Sequence, residues 1–223
     1  MSHPRRKHRR VYMTRIKPQV SPFFLLFQSP NMSASHPHPP SKSKNPSDIP
    51  TKVIGQLLSH PTYPTRTSIR LIIFNHHSQI LIIHVSRHNY YKLPGGGIED
   101  GESHYDTGCR EALEESGYKV RISPAPFAKT LEYRGPEHGT VQIQTSWAYT
   151  ANVVQNTARR ELTEEEREDG YENLWVSVEE ARRLVEECVP RTEFGKMVKE
   201  REGWFLTIHE GLTKDMNEPG ETH

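Results

Sequence analysis

GGIEDGESHYDTGCREALEESGY, residues 96–118, is the stretch on which the reading of this chain turns. It follows Lys92-Leu93-Pro94-Gly95, so glycines occupy 95, 96 and 97 in a row. Such a run breaks regular structure and lets backbone groups approach a ligand closely. Ser103, with Asp106 three residues on, is a capping-box signal. It predicts a helix from about His104 to Ser116, with Gly117 as its stop. At about 3.6 residues per turn, Glu111, Glu114 and Glu115 fall on one face. Tyr105, Cys109, Ala112, Leu113 and Ser116 fall on the other, which is the expected buried face.

Three carboxylates on one face repel one another, and no lysine is interleaved. Arg110 is the one cation inside the helix, placed to pair with Glu114 four residues on. A solvated acidic face is the ordinary reading of such a helix. Beside a glycine loop, the same face is a set of oxygen donors for a hard cation, Mg²⁺ or Mn²⁺, and Mg²⁺ commonly brings substrate phosphates with it. On either reading the face is expected to be exposed, so losing one carboxylate should leave the fold intact. Cys109 points to the buried side and has no cysteine nearby.

Every fixed position of one known pattern is met here. The stretch resembles the box of the Nudix hydrolase family, G-x5-E-x7-R-E-U-x-E-E-x-G-U, where U is apolar. Gly96 is its first glycine, Glu102 the spaced glutamate, Arg110-Glu111 and Glu114-Glu115 the two pairs, and Gly117 the last glycine; Ala112 and Tyr118 take the apolar positions. The flanks Tyr91-Lys92-Leu93-Pro94-Gly95, Leu162-Thr163-Glu164-Glu165-Glu166 and Leu174-Trp175-Val176-Ser177 are similar to the small, nucleotide-directed, MutT-like members. The resemblance covers roughly residues 65–212. It implies the Nudix fold, an α+β domain with a mixed β-sheet sandwiched between α-helices.

It also implies roles. Glu111, Glu114 and Glu115 become metal ligands, joined by the Gly96 carbonyl. Glu102 and Arg110 hold loop and helix in register behind them. The general base is a carboxylate of the box, Glu114 or Glu115, or one from a separate acidic loop, for which Glu166 is the choice. Tyr133 and Arg134, near Trp147 and Tyr149 on two long strands, are the expected substrate contacts: an aromatic ring stacks on a base and an arginine binds phosphate. The implied reaction is Mg²⁺-dependent hydrolysis of a nucleoside diphosphate-X substrate, with a nucleoside triphosphate, oxidised forms included, favoured. Two other readings stand beside it. One is a nucleotide-sensing module that binds without cleaving. The other is a decapping-like RNA pyrophosphohydrolase gripped by a basic tail.

That tail is written in the composition. The chain has 223 residues, a formal net charge of +1 and only 33% hydrophobic residues. No Asp or Glu precedes Asp48, while Arg5-Arg6-Lys7-His8-Arg9-Arg10 opens a proline- and serine-rich segment. Residues 1–60 are therefore expected to be a disordered tail, 61–213 the domain, and 214–223 a short disordered end. The basic start reads as a nuclear or nucleic-acid-binding patch, as a mitochondrial-type presequence, or as an extension ahead of a start at Met32. Two distant cysteines, Cys109 and Cys188, give no disulfide framework and fit a reducing compartment, with the cytoplasm the default. The longest apolar run in the tail, Phe23 to Phe27, is far too short to span a bilayer. The expected partner is a small nucleotide rather than a membrane or a nucleic acid.

Overall fold

In the computed structural model, residues 49–57, 59, 63–138 and 141–217 are described, with side chains to 214. The expectations for residues 1–48 and 218–223 lie outside the described residues. The elements run β1 (Thr51–Ile54), β2 (Thr65–Phe74), β3 (Ile80–Val85), β4 (Tyr90–Lys92), α1 (His104–Glu111), a π-helical turn (Ala112–Ser116), β5 (Tyr118–Ile122), β6 (Ala128–Arg134), β7 (Gln142–Asn156), α2 (Glu164–Glu168), β8 (Tyr171–Val176), α3 (Val178–Glu187) and α4 (Glu193–Asn217). No helix among the described residues is long and apolar enough to cross a membrane.

The sheet is mixed and runs β1-β6-β7-β2-β3-β4, with β5 added to β7 and β8 to β3. Its spine is the parallel pair of β2 and β7, in register from Thr65 opposite Ile143 to Phe74 opposite Asn152. Each face carries its own core, because side chains alternate along a strand. Ile69, Leu71, Ile73, Leu81 and Tyr149 pack under α1 and the π turn. Ile72, Ile80, Ile82, Ala128 and Ala148 pack against Ala181 and Val185 of α3 and Phe205 and Leu206 of α4. The chain is thus an α+β sandwich of helices on a mixed sheet.

Two boundaries differ from the sequence reading. Thr51–Ile54 was expected in the tail, yet it pairs in parallel with β6, from Thr51 opposite Lys129 to Ile54 opposite Glu132. Its short, half-polar sequence carries no strand signal of its own; the neighbouring edge supplies the hydrogen bonds. At the other end α4 is one helix to Asn217, unbroken at Gly203 and past the expected limit at 213.

The helix signals behave locally as their chemistry dictates. Ser103 caps α1, accepting from the Asp106 N–H while Asp106 reaches back to Ser103. Gly117 ends the π turn in the left-handed region at φ 78°. A Cβ there would sit 2.9 Å from the carbonyl oxygen of Arg159. Gly117→Ala should therefore cost about 1–2 kcal/mol, read as a lower urea midpoint; an unchanged midpoint would show that the turn relaxes freely.

Candidate active site

The glycine loop lies along β2. Ile69 N–H donates to the Gly96 carbonyl at 2.9 Å, and Ile98 N–H to that of Thr67 at 3.0 Å. Gly95 sits at φ 134°, and a side chain on it would strike the Ile69 carbonyl. A Cβ on Gly96 would fill the space taken by the Glu111 carboxylate. Only glycine lets this loop run between β2 and α1.

The expected exposed acidic face is instead turned inward. Glu111 is 9% and Glu115 2% exposed, while Tyr105, expected on the buried face, is 52% exposed. Thr107, Gly108, Ala112 and Ser116 line the true inner side. Burying Glu115 requires a counter-charge, and Lys92 at the end of β4 supplies it, Nζ to Oε1 at 2.5 Å. The Gly95 N–H donates to the other oxygen at 2.8 Å. Burial pushes the Glu115 carboxyl above its ordinary value, and Lys92 opposes that. Burial acts downward on Lys92, but the adjoining Glu115 raises it above the normal lysine value, so Lys92 is a cation at neutral pH. Glu114 is carried outward by the wider π turn to a 39%-exposed position beside Arg110.

Arg110 ties the loop to the helix. Its Nε and Nη2 donate to the two oxygens of Glu102 at 2.7 and 2.9 Å, its Nη2 also to the Gly97 carbonyl at 3.0 Å, and its Nη1 to Glu111 at 2.9 Å and Glu114 at 3.1 Å. The hydrogen bonds from Arg110 hold the Glu102 carboxyl at about 2.

Glu111 and Glu115 line a pocket of about 370 Å³. Glu165 and Glu166 of α2 line it too, with Asp169 just beyond that helix. Glu166 Oε2 accepts from the Thr163 N–H at 2.8 Å as part of a capping box. The cationic side is built by Arg66, Arg70 and Arg134, with Gln144. Arg66 is exposed and its guanidinium lies against Gly97. Arg134 is 5% exposed, and its Nε has no hydrogen-bond partner among the described residues.

A buried ionic network fixes this cationic side from behind. Glu132, fully buried, accepts from Arg134 at 2.9 Å, Ser146 at 2.6 Å and Thr130 at 3.0 Å, and pairs with Arg201 of α4 at 3.3 Å. Arg201 in turn donates to Glu202 at 2.7 Å, and Glu202 lies 3.7 Å from Arg70. Burial, with repulsion from Arg201, lowers the Arg70 guanidinium to about 10 against the pull of Glu202.

The pocket therefore brings together Glu111, Glu115, Glu166, Arg134 and Gly96; Glu114 shares Arg110 with Glu111 but does not line the pocket, and neither does Tyr133. Tyr133 lies on the opposite face of β6 from Glu132 and Arg134, because successive residues of a strand alternate. The Gly96 oxygen, expected to face a metal, already accepts from Ile69. Trp147 and Tyr149 belong to the α1 face, where Tyr149 meets His104 Nδ1 at 2.8 Å. Sequence reasoning missed Lys92, Arg66, Arg70, Glu132, Arg201 and Glu202. A usable signal existed for Arg70 and Glu132: each is a charge at an inward position of an otherwise buried strand.

Among the described residues, no three His, Cys, Asp or Glu side chains converge at metal-ligand spacing. Lys92 and Arg110 hold the carboxylates that would do so. The donor set still fits a hard divalent cation. Glu111 and Glu115 are two buried, mutually repelling carboxylates, with the Glu111 carboxylate lying where a Cβ on Gly96 would stand.

The structure is thus an α+β sandwich with one pocket lined by buried carboxylates and by arginines. The NUDIX domain model matches residues 64–194, and the chain belongs to this family. The putative 8-oxo-dGTP diphosphatase of Bacillus subtilis (strain 168) is 36% identical over 67 residues, covering 30% of this chain and 42% of that protein. The chain thus spans less than half the length of this curated relative. Among solved structures, the MutT protein from Methanosarcina mazei Go1 matches with 16% identity and a TM-score of 0.46, over 70% of this chain and 98% of that one. A Nudix hydrolase from Nitrosomonas europaea matches with 20% identity and a TM-score of 0.47, over 66% and 90%.

Proposed function

We propose that this chain is a hydrolase of acid anhydrides that cleaves the diphosphate linkage of a nucleoside diphosphate-X substrate with Mg²⁺, or Mn²⁺ in its place. The observation that carries the reading is that Glu111 and Glu115 line one pocket together with Arg66, Arg70 and Arg134. A nucleoside triphosphate, oxidised forms included, is the favoured class. The name of the Bacillus subtilis relative supports it.

Glu111 and Glu115 would hold the cation. When bound, the cation neutralises the diphosphate and makes a coordinated water more acidic. Arg134, with its unpartnered Nε, and Arg66 bind and orient the phosphates. Glu166 accepts the proton of the attacking water on Oε1, because its Oε2 is held by the Thr163 N–H. Glu102 and Arg110 keep the glycine loop seated on α1 while the substrate binds. A nucleotide-sensing module is the second reading, favoured by the grip of Lys92 on Glu115.

The test is phosphate release from the full chain, coupled to pyrophosphatase for the triphosphates and to alkaline phosphatase for the nucleotide sugars. The panel holds nucleoside triphosphates, 8-oxo-dGTP and nucleotide sugars, each with and without Mg²⁺. Mg²⁺-dependent turnover of one class is expected. Silence across the panel with nucleotide binding retained would transfer the assignment to the sensing module.

A further inference from the structure

A second cavity lies on the α3/α4 side of the sheet, at the end of β2 and β7 away from Arg66 and Gln144. Its volume is about 700 Å³, within the range of small-molecule sites. Phe74, at the end of β2, and Val178, at the start of α3, supply its apolar surface, and Asn152 stands on β7 at the rim. Arg182 comes from α3, and His209 and Glu210 come from the far part of α4.

Its polar groups are not satisfied from within the protein. Eight buried side-chain nitrogen or oxygen atoms lack a hydrogen-bond partner among the described residues, and three of them belong here: Arg182 Nε, His209 Nδ1 and Glu210 Oε1. Buried polar groups are nearly always paired, so a cluster of orphans marks a place where a partner is missing. His209 is the firmest of them, at 7% exposure, with its ring against Phe74 at 5.5 Å and Phe127 at 5.7 Å. Burial lowers its pKa, so the imidazole is neutral, with one donor and one acceptor nitrogen. Arg182 Nε faces Glu210 Oε2 at 3.4 Å, so its charge is met there, and the other Glu210 oxygen is left over.

The complement of these groups is specific. His209 Nδ1, in the tautomer that donates, and the free acceptor oxygen of Glu210 call for a ligand with an acceptor and a donor close together on one edge. The Phe74 and His209 rings call for a flat aromatic body. The charges around the cavity cancel, Arg182 and Lys214 against Glu179 and Glu210, so nothing there favours a polyphosphate. We propose that this cavity is a second binding site, for an uncharged nucleobase-bearing molecule, a nucleoside. It does not depend on the hydrolase reading of the first pocket.

The test is calorimetric titration of the full chain with adenosine, guanosine, cytidine and uridine. At least one should bind with a Kd below about 1 mM. Asn152→Leu, at the exposed end of β7, should weaken that binding about tenfold, the effect of losing roughly one good hydrogen bond. His209→Phe should do the same if it folds; Asn152→Leu decides the matter if it does not. Arg66→Ala, in the first pocket, should leave the Kd unchanged. Absence of nucleoside binding would overturn the site. So would a Kd indifferent to Asn152→Leu, a loss on Arg66→Ala, or tighter Asn152-dependent binding of the 5′-monophosphate.

Discussion

Glu115→Gln is expected to damage the fold and the chemistry together, and the two effects can be separated. The substitution leaves the Lys92 ammonium buried with no counter-charge, whereas the native contact is a 2.5 Å ion pair with both residues almost wholly enclosed. Removing one member of such a pair costs about 3–5 kcal/mol, which should appear as a large drop in the urea midpoint. Turnover of the best substrate should fall roughly a hundredfold or more, since Glu115 is also a proposed cation ligand. The discriminating variant is the double replacement Lys92→Met with Glu115→Gln. It relieves the unpaired charge and should recover most of the stability without recovering turnover. A double variant that regained activity would mean that Glu115 serves only the fold. One that stayed as unstable as the single variant would mean that Lys92 is not what makes the loss costly.

Glu132→Gln should be nearly as severe, at a position no motif marks. Glu132 is fully buried and takes hydrogen bonds from Thr130, Ser146 and Arg134, with Arg201 alongside. Burial alone would raise its carboxyl, but Arg201 and Arg134 hold it at about 2. The neutral amide leaves two enclosed guanidinium groups underpaired, at a cost of about 3–5 kcal/mol. The pH dependence follows from the same shift. A carboxyl depressed in the folded state contributes stability that is fully present above its unfolded value of 4.5 and is lost as pH falls toward 2. Urea midpoints measured from pH 5 to pH 2 should fall steeply for the native chain and more gently for the variant. Parallel curves would show that Glu132 carries none of the acid sensitivity.

What could be read from the sequence was what is local. The Ser103–Asp106 box and the Gly117 stop depend on residues a few positions apart, and both form as written. The α+β layering was legible through the resemblance that the same stretch carries. The depth of the acidic face was not legible, because its counter-charge, Lys92, lies 23 residues from Glu115. Nor was the π turn, which leaves Glu114 outside the pocket that Glu111 and Glu115 line, without any unusual residue. Tyr133 and Arg134 are adjacent, and only the placement of β6 against α4 decides which of them faces the pocket. The network of Arg201, Glu202 and Glu132 joins segments 69 residues apart, beyond any pattern that spacing can reveal.

The pairing of β1 with β6 bears on how the molecule should be handled. A chain trimmed to begin at residue 61, where the composition changes character, would lack Thr51–Ile54 and leave the rim of β6 with open amides and carbonyls. Such a rim is a template for another copy of the same strand. Shortened versions for crystallisation or spectroscopy should therefore start before Pro50, whose carbonyl already receives the Lys129 N–H at 3.0 Å. Versions that start later invite self-association that would be mistaken for a native oligomer.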